Sequence, residues 1–279
     1  MKGKGIEKSK EREIHMIIDI QKEETTVSGM ISIIMPAYNA QRTLHQAVDS
    51  ALCQTYQNIE LLIIDDFSID STAQIAEEYI KQDRRVRLLK NDKNLGAAAS
   101  RNRGVDAARG EWIAFLDSDD AWTEDKLEKQ LTRAASMRGE FIFSGSAFMD
   151  ADGNRKVGLL HVPEQVTYKE LLKQNVISCS SVMIKKSLVR RYKMAGDFLH
   201  EDFAVWLQIL RDGKIAFGVD EPLLIYRLSA GSKSGNKWKA AKMTYRVYRY
   251  IGLNVFCAMY YWMHYLFRSV RKYSKLVDF

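Results

Sequence analysis

Three groups of carboxylates hold the chemical content of this 279-residue sequence. Asp117 and Asp119 stand two residues apart in WIAFLDSDD, directly after an apolar run that reads as a buried strand. In a segment leaving a strand, side chains i and i+2 project to the same side, so both carboxylates can reach one hard cation. Oxygen ligands of this kind select Mg²⁺ or Mn²⁺, which keep water or phosphate oxygens as their remaining ligands. Asp65 and Asp66 end a second run, IELLIIDD, where a carboxylate can accept from the imide of a base or from ribose hydroxyls. Glu201 and Asp202 open the segment HEDFAVWLQIL; an acid there can serve as a general base toward a hydroxyl, or simply answer the helix dipole. From its spacing alone, Trp206 on that segment reads as core.

The sequence has no GxGxxG and no GxxxxGK[ST], so neither a dinucleotide fingerprint nor a phosphate loop explains a nucleotide site. Phosphates bound here would need a metal together with Arg or Lys. Lys90, Arg101 and Arg103 are the candidate cations, and the spacing of ASRNRG leaves open which of its two arginines faces the site.

These acids depend on an alternation of elements. From Ile31 the pattern runs strand (31–36), helix (41–52), strand (59–66), helix (73–82), short strand (VRLL), helix (AAASRNRGVDAA) and strand (EWIAFLDSDD, 111–120), with Ser68, Asp70 and Ser71 as capping residues. Such alternation predicts a parallel, doubly wound sheet, in which ligands bind outside the carboxyl ends of the strands. After Trp122 the pattern becomes mixed: an amphipathic helix, a hairpin turning at ADGN, a short helix near 167–173, a strand in CSSVMIKK, a helix closed by Gly213 and two short strands ending at Tyr226. The expected organisation is a mixed-charge leader (1–29), one domain of two halves (30–228) and a tail (229–279).

Composition excludes other classes. With 46% hydrophobic and 28% charged residues, 16 Gly and 3 Pro, the chain is neither disordered nor collagen-like. Cys53, Cys179 and Cys257 form no CxxC or Cys/His cluster, so no disulfide framework or zinc site is expected, and a reducing cytoplasm fits. Residues 227–279 hold 11 basic residues and one acid, a net +10, whereas residues 1–226 carry a net −3. Within the tail, 17 residues from Ile251 to Phe267 lack Asp, Glu, Lys and Arg, between Arg246 and Arg249 on one side and Arg268, Arg271 and Lys272 on the other. That is short for a membrane span, and Asn254 and His264 interrupt it. The pattern predicts amphipathic helices lying on the membrane, with cations on anionic headgroups. The alternative is an apolar helix packed on the domain or on a second copy in a homodimer. Nucleic acid is not expected, because the aromatics form an apolar block instead of platforms spread among cations.

Taken together, ISIIMPAYNA, ALCQTYQNIELLIIDDFSIDST, NLGAAASRNRG, GEWIAFLDSDDAW and HEDFAVWLQIL resemble the family 2 glycosyltransferases, in order and spacing, over roughly residues 30–228. The resemblance implies the GT-A fold, an α/β architecture with a Rossmann-like nucleotide-binding half and a mixed-sheet acceptor half, here followed by an amphipathic helical tail. It implies an inverting transfer from a nucleotide sugar, most commonly UDP-linked, with Mn²⁺ or Mg²⁺ as cofactor. Pro36, Ala37, Tyr38 and Asn39 become the loop against base and ribose, Asp66 with Asp65 the base-recognising acid, and Arg101 a nucleotide contact. Asp117 and Asp119 become the ribose- and metal-binding pair, Asp202 the catalytic base, and Glu201 and Trp206 residues shaping the acceptor site. Phe67 departs from the pattern, which carries Gly or Ala there. Similar enzymes of bacterial surface polysaccharide assembly (O-antigen, capsule or exopolysaccharide) have tails of this kind. They imply a lipid-linked saccharide acceptor and a peripheral position on the inner face of the cell membrane. By its composition and position, the loop with Ser232, Lys233 and Ser234 is expected to close over the diphosphate as a flap. Two other readings are weaker: a nucleotidyltransferase would open with a Gly-rich basic loop unlike PAYNAQRTL, and a non-catalytic nucleotide-sugar or membrane-binding protein would be expected to have lost Asp117, Asp119 or Asp202.

Overall fold

The computed structural model describes residues 26–196, 198–228 and 237–274. The leader up to residue 25, the loop with Ser232, Lys233 and Ser234, and residues 275–279 lie outside the described residues.

The first half alternates as its hydrophobic pattern demands: β1 (Val27–Ala37), α1 (Leu44–Leu52), β2 (Ile59–Asp65), α2 (Thr72–Gln82), β3 (Val86–Lys90), α3 (Ala97–Ala107) and β4 (Gly110–Phe115). These strands lie in the order β3-β2-β1-β4, all parallel. Every residue of β2 is buried, as in a central parallel strand covered on both faces. Alternation along β1 sends Ile31, Ile33 and Met35 into one core layer and Ile34 into the other. Gly104 sets how closely α3 approaches the sheet: a Cβ there would lie 2.4 Å from Ile34 Cγ2 and 3.0 Å from Ile64 Cδ1. Arg101, three residues earlier and on the same helix face, is thereby held against the carboxyl ends of the strands.

The second half comprises β5 (Ala121–Trp122), α4 (Lys126–Met137), β6 (Phe141–Met149), β7 (Arg155–Leu160), β8 (Gln165–Val166), α5 (Tyr168–Lys173), a 3-10 turn (Cys179–Ser181), β9 (Met183–Lys185), α6 (Lys186–Val189), α7 (Glu201–Arg211) and β10 (Ala216–Arg227). It continues the sheet as β4-β9-β6-β10-β5, with β7 added to β6 and β8 to β10. Strand β9 is antiparallel to both its neighbours, and β10 is parallel to β6, so this half is mixed. The two short strands expected before Tyr226 are a single strand, β10. Its register on β6 shifts between Val219 and Leu224, where Pro222 supplies no N–H to a ladder.

The tail forms α8 (Lys237–Tyr250) and α9 (Val255–Ser274). The apolar stretch 251–267 is therefore not one helix: Gly252 takes φ +90° and Asn254 Oδ1 accepts the Cys257 N–H at the start of α9. Among the described residues, no helix is long and apolar enough to cross a membrane. One face of this pair packs on α5 and α7, with Val247, Tyr248, Ile251 and Ala258 in the core and Tyr248 Oη donating to Leu172 O at 2.6 Å. On α9, Phe256, the adjacent pair Met259 and Tyr260, Met263 and Phe267 remain exposed along one face.

Candidate active site

A cleft of about 1080 Å³ opens at the carboxyl ends of the strands, between the two halves of the sheet. On the first half it is walled by Pro36, Ala37, Tyr38 and Asn39. That loop is fastened to the one after β2 through Asp66 N–H to Ala37 O (2.8 Å), Asn39 N–H to Ser68 Oγ (3.0 Å), Ile69 N–H to Asn39 Oδ1 (3.0 Å) and Ala40 N–H to Thr72 Oγ1 (2.7 Å). Asn39 and Phe67 both adopt left-handed backbone, with φ of 50° and 67°. For Asn this is tolerated; for Phe67 it is strained, and it explains why Gly would be easy at this position. Asp66 faces the cleft, its carboxylate accepting from Asn91 Nδ2 (2.6 Å), Leu95 N–H (2.9 Å) and Gly96 N–H (2.8 Å), which fixes the turn into α3.

The floor is the turn after β4. Asp117, Asp119 and Asp120 each place a carboxylate oxygen within 4.8 Å of the others. Asp120, which was not among the expected metal residues, is buried, accepts the Arg227 N–H at 3.0 Å and a hydrogen bond from Ser180. Burial first, and then Asp119 and Asp117, push its carboxyl well above the usual range. Burial and Asp117 raise Asp119 to about 6. Three hard oxygen donors so close that their charges oppose one another fit a Mg²⁺- or Mn²⁺-sized cation, with Asp117 and Asp119 the accessible ligands.

Arg101 joins this floor to the far wall. Its guanidinium, buried, donates to Asp117 Oδ1 at 2.5 Å and to Glu201 Oε1 at 3.0 Å. Burial works against its charge, but Asp117 and Glu201 hold it well above the ordinary arginine value. Arg103 turns outward to Lys90 O and Asn91 Oδ1, and Lys90 pairs with Glu77, so of the three candidate cations only Arg101 faces the cleft. Asp202 lines the cleft next to Glu201 in the first turn of α7 and accepts the Phe203 N–H at 2.7 Å. Burial and the neighbouring Glu201 raise its pKa, the direction a general base needs.

Two expected residues stand elsewhere. Trp206 does not shape the cleft: it is fully buried, its ring 5.0 Å from that of Phe141 and 6.0 Å from that of Phe115, because it lies on the core face of α7. Its place is structural support for the helix that presents Asp202. Asp65, buried at the end of β2, points away from Asp66 by strand alternation and accepts the Ser68 N–H at 3.2 Å. Sequence reasoning also missed Ser146, Phe148, Lys156 and His200, which line the acceptor half, and Thr244 and Tyr265, which bring the tail helices into the same cleft. Apart from His200, which opens HEDFAVWLQIL, none of these belongs to a motif in sequence.

The cleft wall carries the carboxylates Asp66, Asp117, Asp119, Asp120, Glu201 and Asp202 against the cations Arg101 and Lys156. Fold and site together define an α/β domain with an acid-rich cleft at the carboxyl ends of its strands, the edge at which open α/β sheets bind ligands. A model of the glycosyl transferase family 2 matches residues 32–192. The chain belongs to that family. It is 39% identical over 249 residues to TuaG of Bacillus subtilis (strain 168), described as a teichuronic acid biosynthesis glycosyltransferase, covering 89% of this chain and 99% of that one. It is 36% identical to the Escherichia coli UDP-Glc:alpha-D-GlcNAc-diphosphoundecaprenol beta-1,3-glucosyltransferase WfgD, over 88% of this chain and 95% of the relative. Residues 1–349 of S. aureus TarS, in complex with UDP-GlcNAc, share the GT-A fold with a TM-score of 0.66 and 19% identity, over 80% of this chain and 65% of that one.

Asp119 would give a cation held at this cluster a pH-dependent affinity. In the metal-free protein it takes up a proton near pH 6, and a protonated carboxyl is not a ligand. Mn²⁺ affinity, read by electron paramagnetic resonance, is expected to be flat above about pH 7 and to fall about tenfold per pH unit below about pH 6. An affinity independent of pH across that range would remove Asp119 from the ligand set.

Proposed function

We propose that this chain is an inverting, metal-dependent glycosyltransferase that moves a sugar from a UDP-sugar to a hydroxyl of a lipid-linked saccharide in surface polysaccharide synthesis. The observation that supports it most is the pairing of Arg101 with Asp117 and Glu201, which sets the acid cluster and Asp202 on facing walls of one cleft.

In this reading Pro36, Ala37, Tyr38 and Asn39 receive base and ribose, with Asp66 holding the turn beneath them. Asp117 also serves the ribose, and together with Asp119 it would hold Mn²⁺ or Mg²⁺; bound there, the cation would offset the charge gathering on the departing diphosphate. Arg101 contributes a buried positive charge at the cleft itself. Asp202, its pKa raised, takes the proton from the acceptor hydroxyl as that oxygen attacks the anomeric carbon from the side opposite the diphosphate. One in-line displacement inverts the configuration. Glu201 fixes Arg101, and the acceptor saccharide lies along Ser146, Phe148 and Tyr226.

The names of TuaG and WfgD support a surface polysaccharide setting, and WfgD's printed acceptor, a diphosphoundecaprenol-linked sugar, supports the lipid-linked class. The exposed line on α9, from Phe256 to Phe267, and the net +10 of residues 227–279 support a tail that rests on the anionic inner face of the cell membrane. Thr244 and Tyr265 sit in the cleft on the opposite side of the same helix pair, so a lipid-borne acceptor would enter from the surface on which the tail rests. Residues 30–228 are the transferase domain in this account.

Two measurements test the reading. With a panel of nucleotide sugars, a lipid-linked acceptor and Mn²⁺, D202N is expected to transfer about 10²- to 10⁴-fold more slowly than the wild type while binding nucleoside diphosphate unchanged. Transfer by D202N at the wild-type rate would exclude Asp202 as the base. The full chain is also expected to co-sediment with anionic phospholipid vesicles and to be released by the double substitution F256S/M263S; a wild-type chain that stays in the supernatant would exclude the membrane contact.

A further inference from the structure

Arg227 is the last residue of β10, and its side chain is buried without touching the cleft. Its position follows from two registers. Strand β10 runs antiparallel to β5 with Leu224 opposite Trp122 and Ile225 opposite Ala121, and continuing that register sets Arg227 against Asp119. On its other side β10 pairs with β6, Arg227 opposite Met149, which is where the hairpin turn begins.

The guanidinium fork uses both placements. Its Nε donates to Asp119 O at 2.7 Å, Nη1 donates to Asp150 O at 3.2 Å and Ala151 O at 2.9 Å, and Nη2 donates to Gln46 Oε1 on α1. The Arg227 backbone N–H donates to Asp120 Oδ1 at 3.0 Å. One residue thus ties the turn holding Asp119 and Asp120 to the first helix of the nucleotide half and to the hairpin of the acceptor half. Every acceptor of the fork is an uncharged oxygen, so the side chain acts here as a geometric brace.

We infer that Arg227 is a positioning residue for the metal, bracing the Asp117–Asp120 turn so that its carboxylates converge on one cation. The inference rests on the metal-binding reading given above. Charge and geometry make opposite demands at this position. A buried positive charge beside the cluster repels a divalent cation, so if charge were all that Arg227 supplied, its removal would tighten metal binding. If the brace matters more, removal loosens binding despite the lost repulsion, as does loss of other residues that orient ligands from behind.

The sign of the change is therefore the test. Mn²⁺ binding to the full 279-residue chain, in the presence of UDP, is read by electron paramagnetic resonance for wild type, R227M, R227K and Q46A, with thermal midpoints measured alongside. R227M and R227K are both expected to raise the Mn²⁺ Kd about tenfold or more. Q46A, which removes one tether from an exposed helix position, is expected to raise it several-fold, and it supplies the result if R227M does not fold. At saturating Mn²⁺, R227K is expected to recover a turnover close to wild type, which a loss of overall stability would not produce. An R227M Kd that is unchanged or lower overturns the inference, as does an unchanged Kd in both R227K and Q46A. A wild-type chain that binds no Mn²⁺ overturns the metal reading as well.

Discussion

Arg101 donating at once to Asp117 and to Glu201, 100 residues further along the chain, is the contact on which the site depends. Burying a guanidinium is costly unless good partners surround it, and leaving carboxylates crowded without a counter-charge is costly too. Each half of the sheet brings one side of that problem: the β4 turn brings Asp117, and α7 brings Glu201 with Asp202 beside it. Joining them on one arginine makes the two halves a single cleft. Close packing of α3 at Gly104 and the buried support of α7 by Trp206 are what hold the three groups in register.

In the proposed reading, the same electrostatics explain why a diphosphate would need a cation beside it in the cleft. Among the described residues, six carboxylates line it against Arg101 and Lys156. Asp120 is tied to Arg227 N–H and Ser180 and supports the turn, whereas Asp117 and Asp119 face the opening. A cation at this point turns a surface that repels phosphate into one that binds it, and the raised pKa of Asp202 across the cleft suits the other half of a transfer reaction, the removal of a proton from an acceptor.

Much of this was legible in the sequence, for a physical reason. Buried parallel strands are continuous apolar runs, and the acids that follow them fall at the carboxyl edge, so IELLIIDD and WIAFLDSDD announced both the sheet and the location of the site. Residues whose partners are distant backbone atoms were not legible. Arg227 binds the carbonyls of Asp119, Asp150 and Ala151, and Asp66 binds the N–H groups of Leu95 and Gly96, and no side-chain pattern reveals such partners. Trp206 was legible only by its spacing, which put it in the core, where it is; the family pattern pointed to the acceptor site instead. In the tail, a single Gly-Leu-Asn interruption separates two helices that hydropathy alone runs together, and with it one face on the domain from one face left open.

In the proposed reading, the acid cluster binds the donor's diphosphate through a divalent cation. Calorimetric titration with UDP and with uridine, each in Mn²⁺ and in EDTA, tests it most directly. UDP is expected to bind about tenfold or more tighter with Mn²⁺ than with EDTA, and uridine equally in both. Equal UDP affinity in Mn²⁺ and EDTA would contradict it.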